Sequence, residues 1–393
     1  MSHSIDALQR SLAPVLAPLS WVYSAGMRMR AGLYQRGLLA AWEADALTVS
    51  VGNIGWGGSG KTPIAGWLLG WAESRGLEAL LLTRGYKAKP VTHPYLVTPG
   101  ALAEEAGDEP LMLATMHRKA KVVVDPVRTR AGRWAMERFR PGLVVLDDGF
   151  QHMAVKRHVD LVLLRPDDLA GQWNRVIPAG SWREPIAALK RADAFLVKMS
   201  PENFTRLIPF FSERLERFRK PVFSFQLRPV GVTHVLHGNA EIGFGGGAYL
   251  LVTGVGDPEQ VRRSAARYFG YPPARHLVFR DHHAYTKADV LAMQTTARRL
   301  GCDAILCTPK DAVKLGPMCS EEFWRLDLRI DFGPSALGSG KPFNTWWSRR
   351  FDAFNLRRKD VLEEAREAEE QTAADMAAYQ EESADREDDH GQK

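Results

Sequence analysis

The chain has 393 residues, 45% of them hydrophobic, and a formal net charge of +6. It is long and apolar enough to bury a large core in two domains. Its three cysteines, Cys302, Cys307 and Cys319, are too few for a disulfide framework and lack metal-ligand spacing, so a reducing compartment is expected. Charge is unevenly spread: Asp360 to Lys393 holds 13 acids and 3 bases, leaving 49 bases and 33 acids before it. A basic body suits an anionic partner, whether nucleotide, phosphorylated substrate, nucleic acid or acidic membrane.

At the N-terminus, Ser11 to Met27 is uncharged and greasy, with Leu12, Val15, Leu16, Leu19, Trp21 and Val22. The run is shorter than the roughly 20 apolar residues a spanning helix needs and contains Pro14 and Pro18. Arg10 and Ser24-Ala25-Gly26 could frame a signal peptide, but cleavage would export a nucleotide site to a compartment without ATP. From Pro18 to Trp42, aromatic and aliphatic residues interleave with Arg28, Arg30 and Arg36, and that stretch holds no acid. Two readings stay open: a helix lying in a membrane interface, or a helix packing its apolar face on the core.

Leu47 to Asn53 is a short β-branched run, followed by Gly55-Trp56-Gly57-Gly58-Ser59-Gly60-Lys61-Thr62, a full G-x-x-x-x-G-K-[ST] pattern. Pro63 to Arg75 predicts a helix. Strand, glycine loop and helix together make a phosphate cradle: glycines let backbone N–H groups turn inward, and the helix N-terminus adds its dipole. Lys61 is then expected on the terminal phosphates and the Thr62 hydroxyl on Mg²⁺.

Apolar runs recur at Ala79–Leu82, Lys121–Val124, Leu143–Leu146, Asp160–Leu164, Ala194–Val197 and Val222–Phe225, the signature of a parallel sheet covered on both faces. Ligands bind beyond the carboxyl ends of such strands, where Thr83, Asp108, Arg128, Asp147 and Asp148 fall. Asp147, ending an apolar strand, is the expected Walker-B carboxylate. Gln226 to Gly247 is polar, glycine-rich and hairpin-like. A second α/β unit follows, with strands at Tyr249–Thr253, Leu277–Phe279 and Ala304–Cys307. From about Asp352 the chain is charged and Ala-rich, predicting a solvated helix or disorder. His282 and His283 are adjacent; by pattern alone they read as a surface pair or as one general acid–base group.

These blocks resemble one family, the lipid A tetraacyldisaccharide 4′-kinases. The resemblance rests on Val51-Gly52-Asn53, the glycine loop with Pro63, Thr83-Arg84-Gly85-Tyr86, Gly107-Asp108-Glu109-Pro110 and Arg128. It continues through Asp147-Asp148-Gly149-Phe150-Gln151-His152, Pro178-Ala179-Gly180, Arg183-Glu184-Pro185, Asp281-His282 and Lys310-Asp311-Ala312-Val313-Lys314-Leu315. It implies transfer of the ATP γ-phosphate to the 4′-hydroxyl of an acylated glucosamine disaccharide 1-phosphate, giving lipid IVA. It implies a monomer held peripherally on the cytoplasmic face of the bacterial inner membrane, with no nucleic-acid partner.

The implied fold is a P-loop NTPase-like α/β/α domain with a second, smaller α/β/α lobe on a two-stranded linker. The expected divisions are a membrane-associating segment at 1–45, a kinase domain at 46–225, a linker hairpin at 226–247, a second lobe at 248–350 and an acidic tail at 351–393. Carried over residue by residue, Asp108 is the catalytic base, His282 its partner, and Lys61, Arg128 and Asp148 serve the transferring phosphate. Thr62, Asp147 and Glu184 are the expected Mg²⁺ ligands. Departures at Lys87, Ser181-Trp182, Gln172 to Arg175 and Pro309 touch loop shape and acceptor fit. Other P-loop readings are a soluble-substrate kinase, a nucleotide-switched metallochaperone and a nucleic-acid ATPase. The last two lack a guanine motif, a cysteine metal site or a nucleic-acid motif.

Overall fold

The computed structural model describes residues 2–244, 246–338 and 340–390. Among them one mixed sheet runs through most of the chain. Its strands are β1 (Leu47–Asn53), β2 (Ala79–Thr83), β3 (Tyr95–Val97), β4 (Lys121–Val124), β5 (Leu143–Asp147), β6 (Val159–Leu164) and β7 (Ala194–Lys198). They continue as β8 (Val222–His234), β9 (Ala240–Glu241), β10 (Tyr249–Thr253), β11 (Arg275–Val278), β12 (Ala304–Cys307) and β13 (Phe323–Ala336). The order is β11-β10-β12-β13-β8-β7-β6-β1-β5-β2-β4-β3, with β9 paired to β8.

The apolar runs became strands buried on both faces: every residue of β1, β2, β5 and β6 is buried. Burial of this kind follows from right-handed β-α-β crossovers, which lay helices on both sides of a parallel sheet. The helix Lys61–Ser74 covers β1 with Ile64, Leu68, Leu69 and Ala72, each burial contributing on the order of 1–3 kcal/mol. It starts two residues earlier than Pro63 because Gly60, at φ 92°, turns the chain straight into it.

Three expectations need correction. The hairpin within 226–247 is short and is not what joins the two halves. Only Val232–Glu241 and Thr233–Ala240 pair there, while β8 finds its long antiparallel partner in β13, from Trp324–His234 to Ala336–Val222. The two halves therefore share one continuous sheet, since the start of β8 also pairs in parallel with β7. Second, the boundary expected at 350 falls earlier: Met1–Pro342 is one compact unit and Phe343–Lys393 another. The latter contains a single helix, Phe343–His390, so the helical alternative for the acidic tail holds over its described part. Third, the strand expected at Leu277–Phe279 is Arg275–Val278, which leaves Asp281, His282 and His283 in the following turn.

The N-terminal helix Ser2–Gln35 carries Pro14 and Pro18 inside it. Its small polar face packs inward: Ser20 Oγ donates to the Val176 carbonyl at 2.9 Å and accepts from the Ala179 N–H at 3.0 Å, and Tyr23 Oη donates to the Arg183 carbonyl at 3.0 Å. Val15, Leu19 and Val22, spaced i, i+4, i+7, are 59–75% exposed. Core packing of the apolar face, one of the two readings left open, is thus reversed along this stripe. No described helix is long and apolar enough to cross a membrane.

Gly52 is required by close approach. A Cβ there would stand 2.5 Å from Phe150 Cβ and 2.7 Å from the Phe150 backbone nitrogen, so β1 and the loop after β5 could not close. Gly52→Ala is expected to cost about 2 kcal/mol or more, as overpacking against backbone does. A thermal or denaturant unfolding midpoint equal to the wild type would refute that.

Candidate active site

β1 and β5 run in register with Val51 opposite Asp147, so the glycine loop leaves the sheet beside the carboxylate that ends β5. Gly57 and Gly60 take left-handed φ values of 105° and 92°. The loop is tied down by the 181–183 segment: Trp56 N–H donates to the Ser181 carbonyl at 3.1 Å and Arg183 N–H to the Ile54 carbonyl at 2.7 Å.

Charges interlock beneath the loop. Lys61 Nζ donates to Asn53 Oδ1 at 3.1 Å and lies 3.5 Å from Asp148. Arg183 clamps Asp148 with two bonds of 3.0 and 2.9 Å and also donates to Asn53 Oδ1. Thr83 Oγ1 donates to Asp147 at 3.0 Å, and Thr62 Oγ1 to Glu109 at 2.6 Å.

The neighbouring acids are driven apart. Burial, then the negative charges of Glu109 and Asp148, push the Asp147 carboxyl up to about 6. Burial also acts to raise Asp148, but the hydrogen bond from Arg183 and the charge of Lys61 outweigh it and hold the carboxyl at about 2. Arg128 is buried and donates long bonds to the main-chain oxygens of Asp147 at 3.5 Å and Pro126 at 3.4 Å. Burial lowers its pKa, opposed by Asp147 and Asp148.

Asp108 opens the helix Asp108–Met116 and meets residues from the far half of the sheet. Its carboxylate accepts from His282 Nδ1 at 3.0 Å and pairs with Lys314 at 3.4 Å. Burial would raise its pKa, but the His282 hydrogen bond and the Lys314 charge win and the carboxyl sits below its usual value. Since Asp108 only accepts, His282 carries its proton on Nδ1, and Nε2 accepts from Lys310 at 3.1 Å. Lys310 also pairs with Asp281 at 2.8 Å and reaches Glu109 at 3.9 Å. His282 sits at φ 63° with Tyr86 edge-on at 5.6 Å. A cleft of about 950 Å³ opens beside this pair, lined by Tyr86, Lys87, Lys89, Lys314 and Arg325.

The glycine loop, Lys61, Thr62, Asp147, Asp148, Arg128, Asp108 and His282 are thus brought together. Glu184 is not. It is buried and gives both oxygens to Arg191, at 2.8 and 3.0 Å, while the Arg191 guanidinium also lies over Phe150. This correction makes Glu184 an internal ion-pair partner, not a member of the Thr62–Asp147 oxygen set. His283 turns away to Asp289 at 3.2 Å. The carboxylate that meets Thr62 is Glu109. Sequence reasoning missed it along with Arg183, Lys310 and Lys314, although the i, i+4 spacing of the two lysines puts both on one helix face.

The side chains fit a divalent cation and a polyanion. Thr62, Asp147 and Glu109 supply hard oxygen donors of the kind Mg²⁺ takes, and at Asp147 burial and the neighbouring acids outweigh the charge of Lys61. Asn53 Nδ2, Ser59 Oγ, Arg128 Nε and Arg183 Nε are buried donors with no partner among the described residues, a cost that a bound anion would relieve.

Asp147→Asn separates these effects. The folded-state pKa of about 6 lies above the ordinary aspartate value of 3.8, so stability is lost as pH rises through that window, by roughly 3 kcal/mol for a shift of this size. Asp147→Asn should therefore raise the melting temperature of the metal-free protein at pH 7.5 by several degrees while abolishing turnover. A lowered melting temperature would contradict the assigned strain.

The family model described as tetraacyldisaccharide-1-P 4′-kinase matches residues 12–339. A tetraacyldisaccharide 4′-kinase of Nitratidesulfovibrio vulgaris is 52% identical over 347 residues, covering 88% of this chain and 96% of that protein. One from Oleidesulfovibrio alaskensis is 50% identical over 352 residues, covering 88% and 97%. Among solved structures, the LpxK of Aquifex aeolicus in complex with ATP aligns with a TM-score of 0.63 at 27% identity, covering 83% of this chain and 95% of that one.

Proposed function

The chain belongs to the tetraacyldisaccharide-1-P 4′-kinase family, and on that premise we propose that it transfers the γ-phosphate of ATP to the 4′-hydroxyl of a tetraacylated disaccharide 1-phosphate, with Asp108 as the base. The observation that carries this reading is the Asp108–His282 contact at 3.0 Å, which places a carboxylate at the mouth of a basic cleft and joins it through Glu109 to the P-loop threonine.

The backbone N–H groups of Gly55 to Gly60 and the N-terminus of the helix Lys61–Ser74 cradle the ATP phosphates. Lys61 moves from Asn53 and Asp148 to the terminal phosphates as they bind, and Arg128 and Arg183 offset charge that develops in transfer. Thr62, Asp147 and Glu109 would hold Mg²⁺, which supplies charge neutralisation at the β- and γ-phosphates. Asp108 takes the proton of the attacking hydroxyl. His282, fixed between Asp108 and Lys310, orients that carboxylate. Lys314 keeps it ionised, and the basic lining at Lys87, Lys89 and Arg325 suits an acceptor that already carries a phosphate.

Membrane contact follows from the N-terminal helix. Leu12, Val15, Leu19, Val22 and Met29 form its outward stripe, and the same helix is anchored by Ser20 and Tyr23 to the segment that buttresses the glycine loop. Peripheral insertion of this stripe would hold the cleft at the inner-membrane surface where an acylated acceptor resides.

Two measurements test these assignments. With γ-labelled ATP, Mg²⁺ and detergent-dispersed tetraacyldisaccharide 1-phosphate, Asp108→Asn should lower label transfer by about 10²–10⁴-fold, the usual contribution of a general base, with ATP binding retained. Undiminished transfer would remove Asp108 from that role, and no transfer by the wild type would favour a soluble acceptor. In co-sedimentation with anionic phospholipid vesicles, Leu19→Ser/Val22→Ser should lose most of the bound fraction. Equal binding by that variant and the wild type would argue against insertion of the stripe.

A further inference from the structure

We infer that His234, His237 and Glu321 form a second metal site, for a borderline transition cation of the Zn²⁺ class, built from none of the residues assigned to phosphate transfer. The three come from two chain segments. His234 ends β8, His237 lies in the turn toward β9, and Glu321 lies just before β13. The pairing of β8 with β13 sets Trp324 opposite His234, bringing the residue three before Trp324 alongside the turn.

The geometry is that of a ligand set. His237 Nε2 lies 3.0 Å from each oxygen of Glu321, and His234 Nε2 lies 3.4 Å from Oε2. The two imidazoles stack at 4.7 Å between centroids, 17° apart. All three ligand atoms lie within 4.8 Å of one another, and among the described residues no other group of three His, Cys, Asp or Glu does so. Such separations match donors about 2.0–2.2 Å from one tetrahedral ion. Two imidazoles and a carboxylate suit Zn²⁺ better than Mg²⁺ or Ca²⁺, which take oxygen sets.

The surroundings hold the set in place. His234 is buried beneath the edge of Trp324 at 4.8 Å, while His237 and Glu321 are exposed, leaving an entry path and room for water as fourth ligand. Without metal, His234 Nδ1 accepts a long 3.3 Å bond from the His237 N–H, and Nε2–H donates to the Glu321 carbonyl at 2.8 Å. Ligation through Nε2 needs the Nδ1–H tautomer and exchanges both of these bonds for the bond to the ion. The consequence is a clip across the end of the β8–β13 pair, whose next residues, Val235 and Arg325, line the acceptor cleft.

The test uses full-length protein with any affinity tag removed, stripped with chelator and titrated with Zn²⁺ alone by competition with a chromophoric chelator. One equivalent should bind with a dissociation constant of about 10 μM or tighter. His237→Ala and Glu321→Gln should each weaken it at least about tenfold without changing metal-stripped folding or Mg²⁺-dependent transfer. Zn²⁺ in hundredfold excess over that constant should raise the melting temperature of the wild type by several degrees and leave His237→Ala unmoved. Co²⁺ in the same site should give the intense visible absorption of a tetrahedral ion. Wild-type binding no tighter than that of either variant, or an identical Zn²⁺-induced shift in all three proteins, overturns the site.

Discussion

Two adjacent acids at the start of one helix hold the active cleft together. Glu109 accepts from the P-loop hydroxyl of Thr62, and Asp108 meets His282 and Lys314 from the far half of the sheet. Lys310 closes the circuit by touching both His282 and Glu109. Negative charge at a helix N-terminus is favourable in itself, so the helix offsets part of the cost of crowding carboxylates here. The result is mechanical as well as electrostatic: the nucleotide side and the base side of the reaction are joined through consecutive residues of one rigid element.

The resting site is strained in a way that its ligands would relieve. Asp147 is buried among acids and its carboxyl is pushed up, while Asp148, one residue away, is held down by Arg183 and Lys61. Buried donors on Asn53, Ser59, Arg128 and Arg183 lack partners beside them. A fold that places like charges together and leaves donors unmet gives up stability for a preorganised field. Nucleotide and cation would restore both balances at once, so their binding is expected to couple strongly to the stability of this region.

The N-terminal helix links that field to the surface. On its inward face Ser20 and Tyr23 bond the loop around Val176 to Arg183, the segment whose Arg183 also clamps Asp148. Its outward face is apolar. An element with its polar residues inside and its aliphatic residues outside has the wrong polarity for water alone. The inversion makes sense when a nonaqueous phase completes the burial.

Much of this kinase was legible from local pattern. The glycine loop, the buried strand runs and the strand-ending Asp147 each follow from residue spacing, because a parallel strand covered on both faces must be apolar throughout and a phosphate cradle must have glycine where φ is positive. Family resemblance, not pattern, singled out Asp108 and His282, since an acid and a histidine 174 residues apart carry no periodic signal. The linker was misplaced because glycine and polar residues mark a turn without naming its partner: β8 pairs with β13 across a whole α/β unit, a long-range choice set by which apolar edges remain to be covered. Glu184 was carried over to the metal from the family resemblance, yet Arg191 claims both its oxygens once the chain folds back. Sequence by itself determined the strand–loop–helix cradle and the class of chemistry, because those depend on local backbone freedom and side-chain type. Tertiary structure alone decided that Glu109 meets Thr62 while Glu184 meets Arg191, that Lys314 pairs with Asp108 and Lys310 with His282, and that serines face inward on the first helix, because each depends on which charges and surfaces meet across distant segments.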